Sequence, residues 1–181
     1  MKLLSLAAAL SIAATLPGLA AAQAGGAPPA PTGVDYTRWE GRWYEAARLE
    51  NWPQRNCDAD NVATVLRRVD GDISIIHQCR TADGDWYVWV GDGRREDGAP
   101  KNTLGVRFAE QWLTTPPFFW TGYYAVALDV DARYALLGTD DGAHLWVLSQ
   151  TRTMDEAVYQ RAIALAGQLG YDTAKLIRSA K

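Results

Sequence analysis

Residues 60–98 read DNVATVLRRVDGDISIIHQCRTADGDWYVWVGDGRREDG. The pairs Asp70-Gly71, Asp83-Gly84 and Asp97-Gly98 cut this stretch into blocks rich in Val, Ile, Tyr and Trp. Asp-Gly is a favoured corner of a two-residue hairpin, because such turns need φ > 0 and glycine adopts it without strain. Similar punctuation returns at Asp129–Asp131 and at Asp140–Gly142. Working outward from these corners, eight strands are expected at about 42–49, 60–69, 73–80, 86–94, 102–108, 122–128, 133–138 and 144–150. Most connections are too short to hold a helix, so consecutive strands pair antiparallel. Leu104, Val106 and Phe108 alternate with Gly105, Arg107 and Ala109, which buries one face and wets the other. The fold expected is all-β: an eight-stranded antiparallel up-and-down barrel, closed without free edges and wide enough inside for one small ligand.

One helix follows the strands. Thr153 with Glu156 reads as a capping box, Val158, Ala162, Leu165 and Leu169 recur at helical spacing, and Gly170 stops the run. Its apolar stripe needs a partner, and the outer barrel wall is the one on offer.

Ahead of the barrel, Met1-Lys2, the acid-free apolar run Leu3–Leu16 and Ala20-Ala21-Ala22 read as a signal peptide over residues 1–22. The apolar run is shorter than the roughly 20 residues a membrane span needs, and Pro17-Gly18 interrupts it. Residues 23–35, with Gly25, Gly26, Pro28, Pro29 and Pro31, read as a flexible linker, leaving 36–181 as the domain. Gln23 stands where a lipid-anchored protein would carry Cys, so a soluble periplasmic or secreted protein is expected. In that oxidising setting Cys57 and Cys79 are expected to form a disulfide. Buried thiols, or metal ligands with His77, are the other readings of the pair, but the spacing matches no zinc site. No metal and no cofactor is expected.

The charge balance, 18 Lys plus Arg against 21 Asp plus Glu, is the wrong sign for binding nucleic acid without sequence preference. The chain carries 8 Trp and 8 Tyr beside 3 Phe, amphipathic rings suited to lining a cavity. Beyond residue 22 the serines are Ser74, Ser149 and Ser179, with no Gly-x-Ser-x-Gly elbow, phosphate loop or dinucleotide fingerprint.

Three motifs in order then carry a family resemblance. Gly41-Arg42-Trp43-Tyr44-Glu45-Ala46-Ala47-Arg48 resembles the Gly-x-Trp opening of lipocalins, in the form found in bacterial outer-membrane lipocalins and apolipoprotein D. Asp129-Val130-Asp131 with Tyr134 resembles the second lipocalin motif, and Leu145-Trp146-Val147-Leu148-Ser149 the third. The resemblance covers about residues 36–178. It departs at Gln150, where the family carries an Arg packed over the Gly-x-Trp tryptophan; Arg152 is the candidate substitute. The resemblance implies binding of a small hydrophobic ligand, of the fatty acid or lysophospholipid class, in a calyx, and a part in envelope maintenance. It implies no enzymatic activity.

Period-two geometry from Trp43 at the closed end places Glu45, Ala47 and Leu49 inward. The other expected lining residues are Leu104, Val106, Phe108, Tyr123, Ala125, Trp146 and Leu148. Glu45 in an apolar cup has to be protonated, hydrogen-bonded or paired, either as an anchor for a ligand head or as part of a structural network. Gly41, Trp43, Asp131 and Gln150 are the motif positions with a structural role. The strand with Trp86, Tyr87, Val88, Trp89 and Val90 is apolar on both faces, one of which is expected to meet the helix. Connections at about 50–59, 81–85, 109–121 and 139–143 fall at the end opposite Trp43, so Trp52, Trp112, Phe118, Phe119 and Trp120 gather at the mouth. So apolar a loop packs as a lid, touches a membrane peripherally, or meets a partner. Monomer and dimer both remain open. Two other classes stand beside the carrier: a calyx enzyme, which needs Glu45, His77 or Tyr123 to converge on one cavity, and an interaction module that uses the apolar mouth.

Overall fold

The structure, a computed structural model of the chain, describes residues 36–94, 103–108, 121–129, 131, 133–139 and 141–180. The signal peptide and linker readings, and the mouth residues Trp112, Phe118, Phe119 and Trp120, lie outside these residues.

A 3-10 turn at Tyr36–Trp39 leads into β1 (Gly41–Arg48), β2 (Ala59–Arg67), β3 (Ile73–Arg80), β4 (Trp86–Arg94), β5 (Thr103–Phe108), β6 (Thr121–Leu128), β7 (Tyr134–Thr139) and β8 (Leu145–Ser149). Helix α1 (Glu156–Gln168) and a short strand β9 (Ile177–Arg178) follow. Every strand from β1 to β8 pairs antiparallel with the next, and β8 pairs back to β1, so the sheet closes on itself. The corners at Asp70-Gly71 and Asp83-Gly84 are where the sequence puts them, with Gly71 and Gly84 at φ 90° and 85°, while Asp97-Gly98 lies outside the described residues. The all-β barrel with one helix on its wall is the observed fold.

Two cores result. Side chains pointing inward, among them Trp43, Val65, Ile75, Trp89, Val106, Tyr123 and Trp146, make the barrel interior. Those pointing outward from β6, β7 and β8, including Val126, Leu136, Leu145 and Val147, pack beneath Val158, Tyr159, Ala162 and Ala166 of α1. Alternation along β8 shows the division: Leu145 and Val147 face the helix while Trp146 and Leu148 face the interior. Burying one such aliphatic side chain stabilises by about 1.5–3 kcal/mol, so the helix is held by its small-residue stripe.

Several local expectations are corrected. Asp155, rather than Thr153, caps α1, its carboxylate accepting from the Val158 amide at 3.1 Å. Glu156 turns instead to Gln160 and Arg178. Within the stripe, Tyr159 and Ala166 are buried, whereas Leu165 and Leu169 are only partly covered. The outer face of β4 does not meet the helix, which lies on the β7 side; Trp86, Val88 and Val90 remain 48%, 52% and 44% exposed. Strand β9 was not foreseen: it pairs with β1 through Ala47↔Arg178 and Arg48↔Ile177.

Candidate functional site

Inside the barrel lies a cavity whose walls come from β1 to β8 and from the β1–β2 connection. Of the expected lining residues, Glu45, Leu104, Val106, Tyr123, Trp146 and Leu148 face it. Sequence reasoning missed Trp39, Val62, Ala63, Val65, Ile73, Ile75, Trp89 and Leu137, all of which border the same cavity. The cavity is narrow: the centre of a water-sized sphere has about 50 Å³ in which to move. One water needs roughly 10–15 Å³ by that measure, so a long chain would fit only if the lining rings parted.

Two expected lining residues are corrected outright. Ala47 and Leu49 are buried on the other side of the sheet, in the core shared with α1. The cause is a β-bulge: Glu45 pairs with Leu148, but Ala47 already pairs with Val147. Ala46 and Ala47 both turn outward, and everything after them is one step out of phase with Trp43. Ala125 belongs to the inner core but does not border the cavity. Phe108 sits in β5 opposite Gly91, and its side chain lies outside the described residues.

The bulge sends Arg48 under the mouth connection, where its guanidinium meets the Glu45 carboxylate at 2.8 Å. Gln54 donates to the other Glu45 oxygen at 2.6 Å and to Asn61 at 3.2 Å. Its own carbonyl oxygen accepts from Trp146 Nε1 at 2.7 Å and from Asn51 at 2.8 Å. The Ser179 hydroxyl also donates to Glu45. A connection that reads as loop in the sequence thus turns Asn51, Pro53 and Gln54 into cavity wall. Signals for this were weak, because a polar side chain in a loop normally faces water. Trp52 points away, 65% exposed beneath Arg55.

The disulfide Cys57–Cys79 ties the same connection to β3. Strand β2 shifts register between Ala59 and Val62, and Asp60 takes φ 54°. Asp58 then reaches the Arg80 carbonyl at 2.7 Å, bringing the cysteines alongside.

His77 and Tyr123 also face the cavity. The His77 ring lies flat against Trp89, centroids 5.0 Å apart and planes 9° from parallel. Burial pushes its pKa down from 6.5 to about 4, so the imidazole is neutral. Tyr123 stacks on Trp146 at 5.5 Å; burial, and secondarily the charge of Asp141, raises its phenol far above the usual range. The three groups named for catalysis do share one space. Each is engaged with a different neighbour there: Glu45 with Arg48, His77 with Trp89, and Tyr123 with Trp146.

At the closed end Trp43 is wholly buried, its Nε1 donating to the Trp39 carbonyl at 2.7 Å with the two rings 5.4 Å apart. Arg152 does not stand in for the family's stacked Arg, because it pairs with Asp60 instead. Gln150 is exposed, and its backbone N–H donates to the Arg133 carbonyl at 3.2 Å. Gly41 opens β1 at φ 112°, a conformation that favours glycine. Asp131 closes the β6–β7 turn, its amide bound to Asp129 at 3.0 Å.

A closed eight-stranded barrel with an apolar interior and one helix on its wall is a calyx. Residues 34–181 match the family described as the lipocalin-like domain. The chain is 32% identical over 157 residues to outer membrane lipoprotein Blc of Escherichia coli K12, covering 83% of this chain and 84% of that protein. It is 29% identical over 149 residues to temperature-induced lipocalin-1 of Arabidopsis thaliana, covering 80% and 77%. Insecticyanin of the tobacco hornworm Manduca sexta superposes with a TM-score of 0.63 at 17% identity, covering 84% of this chain and 83% of that one, a likeness of fold. The chain belongs to the lipocalin family.

Proposed function

We propose that this protein holds one small hydrophobic molecule in its calyx, a long-chain fatty acid or a lysophospholipid with its tail inward, and carries or stores it in the periplasm or outside the cell for the upkeep of the envelope. The observation that carries this reading is the cavity itself, lined by Trp43, Trp89, Tyr123, Trp146 and aliphatic side chains. Its charged groups balance: Glu45 is held by Arg48, so among the described residues no lining charge is left for a ligand's charged head, which we place at the mouth. A relative named as an outer membrane lipoprotein supports an envelope setting. The Cys57–Cys79 bond supports an oxidising one, and with both cysteines of the sequence joined to each other we read the mature protein as soluble. We read it as a binder rather than an enzyme, since Glu45, His77 and Tyr123 are each held by a separate neighbour instead of forming a nucleophile–base pair.

Delipidated protein titrated with fatty acids of increasing length tests the reading, with Trp146 reporting through fluorescence quenching. Each buried methylene contributes roughly 0.8 kcal/mol before ordering costs, so affinity climbs with length until the cavity is full. Failure of every length to bind sinks the reading. Native mass spectrometry of the undelipidated protein identifies what it carries.

A further inference from the structure

We infer that the flank of the barrel rim carrying Trp52 and Trp86 docks on a membrane surface of zwitterionic phospholipid and holds the calyx mouth against the bilayer. The inference goes beyond the calyx reading and is tested with the calyx empty.

Helix α1 lies on the β7 side of the barrel, and β3 and β4 stand across the ring from it. There Trp86, Val88 and Val90 alternate outward, each about half exposed, along about 13 Å of strand at about 3.3 Å per residue. Their ladder partners on β3 are Arg80, Gln78 and Ile76, so the stripe meets a cation at the rim and broadens toward Ile76 below it. The exposed Trp52 extends the patch along the rim. Its ring lies under the Arg55 guanidinium at 4.2 Å, and Arg55 and Trp86 line one open groove between the β1–β2 connection and the β3–β4 turn. Arg80 lies over Trp86 in the same way, at 4.1 Å, with one N–H given to the Gly84 carbonyl at 2.6 Å. One rim thus carries two exposed indoles, each with a guanidinium on its face. An indole favours the boundary between water and hydrocarbon, its apolar body on one side and its N–H on the other. A guanidinium stacked on a ring still offers donors at its edge, in the geometry of a phosphate.

Charge and area decide between occupants. Beside Arg55 and Arg80 the rim carries the exposed carboxylates of Glu50, Asp58, Asp83 and Asp85. Among the described residues none of these six enters an ion pair. With four acids against two bases, an anionic lipid surface is repelled. A zwitterionic one presents phosphate to the guanidiniums and ammonium to the carboxylates at a single depth. A second copy fits less well, because two-fold pairing sets the four carboxylates near their own images. Trp52, Trp86, Val88 and Val90 present on the order of 400 Å² of apolar surface, the size of a contact patch on a monomer. Each partner of a stable dimer buries roughly 800 Å².

Flotation with vesicles of phosphatidylethanolamine and phosphatidylcholine tests this on the exported protein, delipidated and with its N-terminus read by mass spectrometry. The variants are Trp52→Ala, Trp86→Ala, the pair Val88→Ser with Val90→Ser, and Val69→Ser, an exposed apolar residue of the β2–β3 turn at the closed end. Near-UV circular dichroism checks each fold, and Trp52→Ala decides the matter if a β4 variant fails to fold. Wild type and Val69→Ser are expected to float alike. Each patch variant is expected to partition roughly fivefold more weakly, the worth of half an apolar side chain's burial. Adding phosphatidylglycerol is expected to leave wild-type binding unchanged or weaker. Absence of wild-type flotation, equal flotation of folded patch variants, or binding that appears only with phosphatidylglycerol overturns the inference. So does a dimer in sedimentation velocity that Trp86→Ala dissolves, in protein that ignores the vesicles. Fatty acid affinity measured without vesicles is expected to be the same in all variants, so this inference and the calyx reading fail separately.

Discussion

Replacing Arg48 by Met removes the positive half of a pair whose side chains are 9% and 4% exposed. Met retains most of the stem's length and apolar surface, so the change is chiefly one of charge. Glu45 is left with the Gln54 amide, at 2.6 Å, and the Ser179 hydroxyl. Both are neutral donors. An exposed pair of this kind would be worth about 0.2–1 kcal/mol. Breaking a buried one from one side strands a charge in low dielectric and costs about 3–5 kcal/mol. The two surviving donors place the expected loss near the lower end, about 3 kcal/mol. Arg48 also reaches the Gln54 and Cys57 carbonyls at 3.4 and 3.5 Å, long contacts that add little. Urea unfolding at neutral pH with the disulfide intact measures the loss. Adding Glu45→Gln to Arg48→Met removes the stranded charge and keeps an oxygen for Gln54 to bond, so the double variant is expected to recover about 2 kcal/mol. A single-variant loss under about 1 kcal/mol, or a double variant less stable than Arg48→Met, refutes the claim that Glu45 and Arg48 balance each other as a buried pair.

Other outcomes follow from the same structure. Because burial holds His77 near 4 in the folded protein against 6.5 when unfolded, the unfolded chain takes up a proton that the folded one refuses. Stability is therefore full above 6.5 and drains by up to about 3 kcal/mol as pH falls from 6.5 to 4. His77→Phe should flatten that slope, and an unchanged slope would assign it elsewhere. Trp43→Ala should cost about 3–5 kcal/mol in thermal or urea unfolding, whereas Gln150→Arg, at an exposed position, should leave the melting temperature unchanged or raised; a clear fall in the latter would mean that this position tolerates no cation. Unfolded, unreduced protein should show no reactive thiol, and removing the 22-residue cross-link should cost on the order of 3 kcal/mol. Ala47→Leu should overpack the outer core shared with α1, losing about 1–3 kcal/mol without altering ligand affinity; a blocked cavity at full stability would put Ala47 inside.

Strand positions are legible in the sequence because a corner is local chemistry: Asp70-Gly71 and Asp83-Gly84 make their turns whatever surrounds them. Cavity residues are legible where the strands stay regular, as with Leu104 and Val106 or Trp146 and Leu148. The α1 cap is legible as a region only, since Asp155 and Thr153 are both good caps and the backbone chooses between them. Trp89 could not be assigned from a strand apolar on both faces. Its neighbours Trp86, Val88 and Val90 are on the outside, and which face turns inward depends on closure of the whole ring. Asn51 and Gln54 were invisible for a further reason: their burial depends on Trp146, 92 residues from Gln54 in the chain.

The bulges explain why Glu45 belongs to the wall. Strands β1 and β2 pair only over Gly41–Tyr44 and Val62–Val65. Past that point β1 slips at Ala46 and β2 slips near Asp60, so a regular ladder between them ends halfway up the barrel. The C-terminal residues fill the opening: Arg178 and Ile177 pair with Ala47 and Arg48, the Ser179 amide bonds the Ala46 carbonyl at 3.1 Å, and the Asp60 amide bonds the Ala180 carbonyl at 3.1 Å. Glu45 lies at this seam, bordering both the calyx and a small outer pocket beside Arg152 and Arg178. A carboxylate facing an apolar cup alone would be costly enough to be protonated or excluded. Held by Arg48 from the mouth side, Gln54 from the connection and Ser179 from the terminus, it instead joins three segments that the β1–β2 ladder no longer binds. Any group that took over Glu45 would have to undo all three bonds, so the charge acts as part of the wall.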